Sequence, residues 1–218
     1  MDYNQLLEQY GGISLEKQYS LFEIISESNW NIDINKGIIS FSNGVEFPIQ
    51  ILGTFSHSSE TWLWAWENKA SNILEPLLAD AEALRQIGLD HNIEAFCTPK
   101  YESDATQVHA IGLIASGILN SSAYYMADYG EGILLVTIKS DLIDKAKYNE
   151  QARILSVFPN LISIFPINHK NALTNYLNKK GYEVNDNEDK LSAKKDSNTI
   201  YADFDKQSRL INLNGELK

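Results

Sequence analysis

The chain has 218 residues, 44% of them hydrophobic and 22% charged, enough to bury a sizeable core in one large domain or two small lobes. Its formal charge is −11; a net anion gains nothing by releasing phosphate counterions, which disfavours non-specific binding to nucleic acid or to anionic lipid. A single cysteine, Cys97, excludes an internal disulfide and asks for no oxidising compartment.

In chain order, Ser14 has the chemistry of a helix N-cap. Leu15, Tyr19, Phe22 and Ile25 then recur at helical spacing, which predicts a helix ending near Ser26 to Asn29. Alternation follows: Trp30, Ile32 and Ile34 on one face, Asn31 and Asp33 on the other. Turn signals at Asn35-Lys36-Gly37 and Ser42-Asn43-Gly44 separate strands at Ile38–Phe41 and Phe47–Phe55, and a fourth strand is predicted over Glu60–Glu67. Pro76 suits a first helical turn, Leu77 to Leu84 continue it, and Gly88 is read as its stop. A short strand is expected over Ile93–Thr98. A helix capped at Ser103-Asp104 should bury Val108, Ile111, Ala115 and Ile118, followed by a hairpin of Ala123–Asp128 and Ile133–Ile138. Helices are predicted over Asn149–Val157 and Asn168–Lys179, the latter closing at Gly181. Strands follow near Tyr182–Val184, Leu191–Lys194, Thr199–Phe204 and Arg209–Leu213, with Asn185–Asp189 as a loop. The fold class is therefore α+β: an antiparallel meander with a Trp-rich central strand, packed by helices. One domain over 1–218 is expected, or two lobes of about 1–140 and 141–218. Helix-then-strands occurs near both ends, but no residue-level match makes it a repeat.

The Trp-rich segment, Thr61-Trp62-Leu63-Trp64-Ala65-Trp66, is the most distinctive feature. In a strand, Trp62, Trp64 and Trp66 share one face, and Leu63 and Ala65 share the other. Both faces are apolar, which predicts a central strand covered on both sides. The competing reading is a stacking platform for sugar rings, bases or a cationic group. Its flanks, His57 and Glu60 before it and Glu67 and Asn68 after it, are where a site would lie. A carboxylate beside indoles would be raised by desolvation, as acid–base chemistry requires.

No other pattern carries chemistry. There is no phosphate-binding loop, no H-E-x-x-H and no G-x-S-x-G, and Gly130-Glu131-Gly132 reads as a turn. His57, His91, His109 and His169 are scattered, and one cysteine cannot build a cysteine zinc site. Asp186 to Asp189 lacks the glycine of a calcium loop. No catalytic residue, cofactor or metal is predicted. The N-terminal Met1-Asp2-Tyr3-Asn4-Gln5 has no signal-peptide layout. The longest apolar run, Ala110 to Leu119, is half of the ~20 residues that span a bilayer. A cytoplasmic protein is expected.

The stretch Phe47-Pro48-Ile49-Gln50-Ile51-Leu52-Gly53-Thr54-Phe55-Ser56, continued by Trp62-Leu63-Trp64-Ala65-Trp66-Glu67-Asn68, resembles an uncharacterised bacterial family of unknown function. That family is marked by an I-G-[ST]-[FY]-S segment and a W-L-W-A-W-x-N strand; Leu52-Gly53 stands here for its Ile-Gly. Ala202-Asp203-Phe204-Asp205 and Ser208-Arg209-Leu210 are similar to its closing hairpin. The resemblance implies a bacterial source and no activity that could be carried over.

Two functions are consistent with these residues. One is a non-catalytic binding or regulatory protein, immunity-like in character, whose partner is a protein with a basic surface. The other is a small hydrolase or carbohydrate-binding protein using Trp62, Trp64 and Trp66 with His57 and Glu60.

Overall fold

The structure, a computed structural model, describes residues 3–217; Met1, Asp2 and Lys218, which the sequence reading includes, lie outside it. The chain is α+β and divides into two compact units, residues 1–3 with 17–146, and residues 4–16 with 147–218. The first helix, α1 (Tyr3–Ile25), contributes to both.

Helix α1 corrects the expected start at Ser14. It runs unbroken through that residue, which is fully buried and caps nothing. Gly11 and Gly12 mimic a break in the sequence, but packing is what keeps them small. A Cβ at Gly12 would stand 2.5 Å from the Tyr176 ring, and one at Gly11 3.1 Å from Leu161 Cδ1.

In the first unit, β1 (Trp30–Asp33), β2 (Ile38–Phe41), β3 (Glu46–Ser56) and β4 (Thr61–Trp64) form the expected antiparallel meander. Helix α2 (Ala79–His91) does not stop at Gly88 but one turn later, where Asn92 takes the left-handed conformation and its N–H bonds Gly88 O. Gly88 is held small by Phe96 and Cys97, whose Cβ and Sγ lie 2.7 and 2.8 Å from where its Cβ would be. The expected strand over Ile93–Thr98 is instead a single helical turn, α3 (Glu94–Cys97). Short apolar runs do not separate the two periods, and here the left-handed Asn92 re-aims the chain into a helical turn. The strand forms just beyond, as β5 (Lys100–Glu102), paired with β4 in the register Trp62↔Tyr101.

Helix α4 (Ala105–Ile118) is capped as expected, the Asp104 carboxylate accepting the Gln107 N–H at 2.8 Å. The hairpin β6 (Ala123–Asp128) and β7 (Gly132–Ile138) follows, and β7 pairs with β3 to complete a seven-stranded sheet. The short helix α5 (Asp141–Asp144) closes the unit, Ser140 accepting the Leu142 N–H.

In the second unit, α6 (Glu150–Ile164) runs a further two turns beyond Val157, passing through Pro159. Helix α7 (His169–Lys179) follows, then an antiparallel four-stranded sheet, β8 (Glu183–Asn187), β9 (Lys190–Lys195), β10 (Asn198–Phe204) and β11 (Leu210–Leu217). Residues 185–187, expected as loop, belong to β8, and the turn is confined to Glu188, at φ 47°, and Asp189.

This unit buries an ionic network. The Glu16 carboxylate, 3% exposed, accepts from Tyr148 Oη at 2.5 Å, from Tyr176 Oη, and from Lys180 Nζ at 2.9 Å. Lys180 also reaches Glu150 at 3.1 Å, and Lys195 meets the other oxygen of Glu150 at 2.9 Å. Burial alone would lower the Lys180 pKa, but the bonds and charge of Glu16 and the bond to Glu150 outweigh it and raise the ammonium above its usual value.

Candidate functional site

The Trp strand is interior. Trp62 and Trp64 are 0% exposed, and Trp66 is 7% exposed. Strand β4 lies between β3 and β5, which covers both edges. It ends at Trp64, so Ala65, Trp66 and Glu67 form a turn and the shared Trp face stops at Trp64, before Trp66. Trp62 and Trp64 stack edge-to-face at 5.2 Å, and Trp64 meets Phe96 in the same way at 6.0 Å. The Trp62 ring fills the space over Gly53, where a Cβ would stand 2.5 Å from it. None of these rings offers an open face for stacking a sugar or a base.

The three indole N–H groups differ. Trp64 Nε1 donates to Ala95 O at 2.9 Å, whereas Trp62 Nε1 and Trp66 Nε1 are buried with no hydrogen-bond partner among the described residues. The Arg85 guanidinium lies over the Trp66 ring at 4.3 Å from its centroid, a cation–π contact.

The flanking polar residues do not converge. His57 pairs with Asp128 across the sheet, Nε2 to Oδ2 at 3.3 Å, both side chains exposed. The Gly130 N–H, then the His57 ring, hold the Asp128 carboxyl below its usual value. Glu60 sits exposed in the turn between β3 and β4 at φ 49°. Glu67 is exposed after the strand. Asn68, whose Oδ1 accepts from Ser71 Oγ at 3.0 Å, borders an apolar groove of about 290 Å³ with Trp30, Ile32, Ile34 and Tyr129.

A second concavity of this unit is a cleft of about 510 Å³ between α2, α3 and β5, lined by residues that include Tyr3, Asn92, Glu94, Ala95, Thr98 and Tyr101. The Trp strand supplies its support. The Trp62↔Tyr101 register sets the Tyr101 ring, and the Trp64 bond to Ala95 O fixes α3. Tyr3 donates its phenol to Gln107 O at 3.3 Å. Burial, reinforced for Tyr3 by Tyr101 and Asp104, raises both phenols well above their ordinary value, so both rings stay neutral. None of His57, Glu60, Trp62, Trp64, Trp66, Glu67 or Asn68 lines this cleft, and the residues that do share no periodicity. The one local signal was His91-Asn92, a helix end with asparagine placed to take the left-handed turn.

Other groups singled out in the sequence have structural partners. His109, on α4, packs near Tyr124 at 5.8 Å, and burial pushes its pKa down to about 4. His169 Nδ1 accepts the Leu210 N–H at 2.9 Å. Asp186 pairs with Lys170 at 2.5 Å. Cys97, expected in a strand, is half-buried at the end of α3. Among the described residues no cluster of His, Cys, Asp and Glu is arranged to hold a metal ion. Among the described residues no helix is long and apolar enough to cross a membrane.

These features define an α+β protein with an interior Trp strand that supports a cleft beside it. The chain belongs to a family of unknown function, DUF6882, whose model matches residues 4–139. The match takes in the Trp strand and the cleft residues from Asn92 to Tyr101, and leaves out Tyr3 and 140–218. No curated protein and no solved structure matches the chain.

Proposed function

We propose that the chain is a non-catalytic binding protein whose first unit engages a protein with a basic surface. The supporting observation is where the charge lies. Residues 1–3 and 17–146 hold 18 acidic against 7 basic side chains, a net of −11, while residues 4–16 and 147–218 hold 11 of each and are neutral. The whole excess therefore sits on one unit, and nearly all of that unit falls within the family match. A concentrated field of one sign steers a partner of the opposite sign and suppresses wrong ones. An immunity-like neutraliser of a basic protein, acting in the cytoplasm, is one form of this function. The sugar-platform alternative needs open indole faces, and Trp62 and Trp64 are fully enclosed.

The test is a fluorescence-anisotropy titration of a labelled oligolysine peptide with the full chain, at low and at physiological salt. An unrelated protein of equal net charge serves as reference. Binding should be at least about tenfold tighter than to the reference, and should weaken with salt. Reversing Glu82, Glu94 and Glu102 to lysine should abolish the difference; reversing Glu183, Glu188 and Asp196 should not. Equal effects from both sets, or affinity no better than the reference, would overturn the proposal.

A further inference from the structure

The cleft beside α3 has chemistry more specific than acidity. Among the described residues that line it, Glu94 carries the one formal charge. The C-terminus of α2, a helix of 13 residues, ends at its wall in Asn92, which brings the negative end of the helix dipole to the cleft. Two neutral tyrosine rings complete it, and an aromatic face attracts a cation. Tyr3 spends its hydroxyl proton on Gln107 O, so its oxygen faces further partners as an acceptor. Asp104 adds its charge at the Tyr3 side. The neighbouring cation, Lys100, precedes Tyr101 on β5, and alternation turns it to the opposite face of the sheet.

Carboxylate, aromatic faces, helix C-terminus and phenol oxygen all favour a positive group that donates hydrogen bonds. We propose that this cleft receives one cationic side chain, a lysine or an arginine, of the basic partner. The inference rests on the binding role assigned above and names the point at which the partner is anchored. A volume of about 510 Å³ accommodates the side chain with part of its backbone. The apolar parts of the wall suit the methylene stem, which both residues bury while their charge is paired.

The experiment uses the 15N-labelled full chain, titrated with the Nα-acetyl methylamides of arginine, lysine, citrulline and norleucine. The arginine or the lysine derivative should shift the amides of residues 92–98 and 101, and whichever does so is the residue anchored. Citrulline and norleucine, similar in shape but neutral, should leave these amides in place. Glu94→Gln, a change at an exposed position, should preserve the melting temperature and weaken the cationic probe about tenfold or more. Tyr101→Leu should weaken it as well, with Tyr129→Leu as an aromatic control outside the cleft. Equal shifts from the neutral probes would overturn the proposal, as would unchanged affinity in Glu94→Gln. The oligolysine titration separates the two ideas. Peptide binding that Glu94→Gln and Tyr101→Leu leave intact sinks the cleft and spares the acidic-surface reading; no peptide binding to the natural chain sinks both.

Discussion

Trp64 Nε1 donates a hydrogen bond to Ala95 O at 2.9 Å, tying the end of the Trp strand to the one-turn helix that walls the cleft. Trp62, two residues earlier and equally buried, makes no such bond among the described residues. The pair is a natural experiment. Replacing either indole by a phenyl ring removes similar apolar area, but only Trp64→Phe leaves the Ala95 carbonyl without this donor. Trp64→Phe should therefore cost about 1–2 kcal/mol more than Trp62→Phe in urea unfolding. It should also speed amide exchange in residues 94–98. Equal costs would show that the bond contributes nothing beyond the ring.

Gly12 gives a substitution whose sign runs against propensity. Within a helix, glycine to alanine ordinarily gains about 1 kcal/mol. At Gly12 the new Cβ would meet the Tyr176 ring at 2.5 Å, a ring held by its bond to Glu16. Gly12→Ala should instead destabilise by about 1–3 kcal/mol, read by chemical denaturation. A stabilised variant would mean that α1 is free to move away from Tyr176.

The ionic network predicts a large single effect and a rescue. Lys180, 10% exposed, is the cation between Glu16 and Glu150. Lys180→Ala leaves the Glu16 carboxylate buried without its cation and should cost about 3–5 kcal/mol. The double variant Glu16→Gln/Lys180→Met removes both charges and keeps an acceptor for the Tyr148 and Tyr176 hydroxyls. It should recover most of the loss. A double variant as unstable as Lys180→Ala would show that the hydrogen-bond geometry, and not charge, holds these residues.

His109 makes stability depend on acid. Burial lowers its pKa from 6.5 unfolded to about 4 folded. The unfolded chain then binds the proton first, so the neutral ring's contribution is complete above pH 6.5 and is lost as pH falls from 6.5 toward 4. The loss is at most about 3 kcal/mol. A His109→Gln variant should show a flatter fall in stability across that interval than the natural chain. Identical slopes would remove His109 as the titrating group.

The β-meander, the helix capped at Asp104, the hairpin β6–β7 and the C-terminal strands are all readable from the residues. Their alternation is regular, and some of their turns carry glycine at positive φ, as at Gly37, Gly44 and Gly130, whereas Glu60, Glu188, Asp196 and Ser208 take positive φ in others. Two errors share a cause. The expected start at Ser14 and the expected stop at Gly88 both fail because tertiary packing sets the helix: α1 runs through Gly11 and Gly12, kept small by Leu161 and Tyr176, and α2 runs past Gly88, kept small by Phe96 and Cys97. The Trp strand was legible as core because Leu63 and Ala65 make its second face apolar. Its flanking polar residues suggested a site that does not converge, since His57 turns to Asp128. The cleft was not legible: Tyr3 and Tyr101 lie 98 positions apart and are brought together only by folding.

The division of α1 has a consequence for the order of events on the ribosome. Residues 4–16 are made before the rest of their unit, and the side chains that Glu16 binds, Tyr148, Tyr176 and Lys180, come 132 to 164 positions later. At about 5–20 residues per second that is a delay of roughly 7 to 30 seconds. Throughout it Leu6, Leu7 and Leu15, buried in the finished protein, have none of their unit's later residues to cover them. The newborn chain therefore carries an uncovered apolar helical segment while residues 17–146 of the first unit are being made, which is the interval in which a chaperone has something to hold.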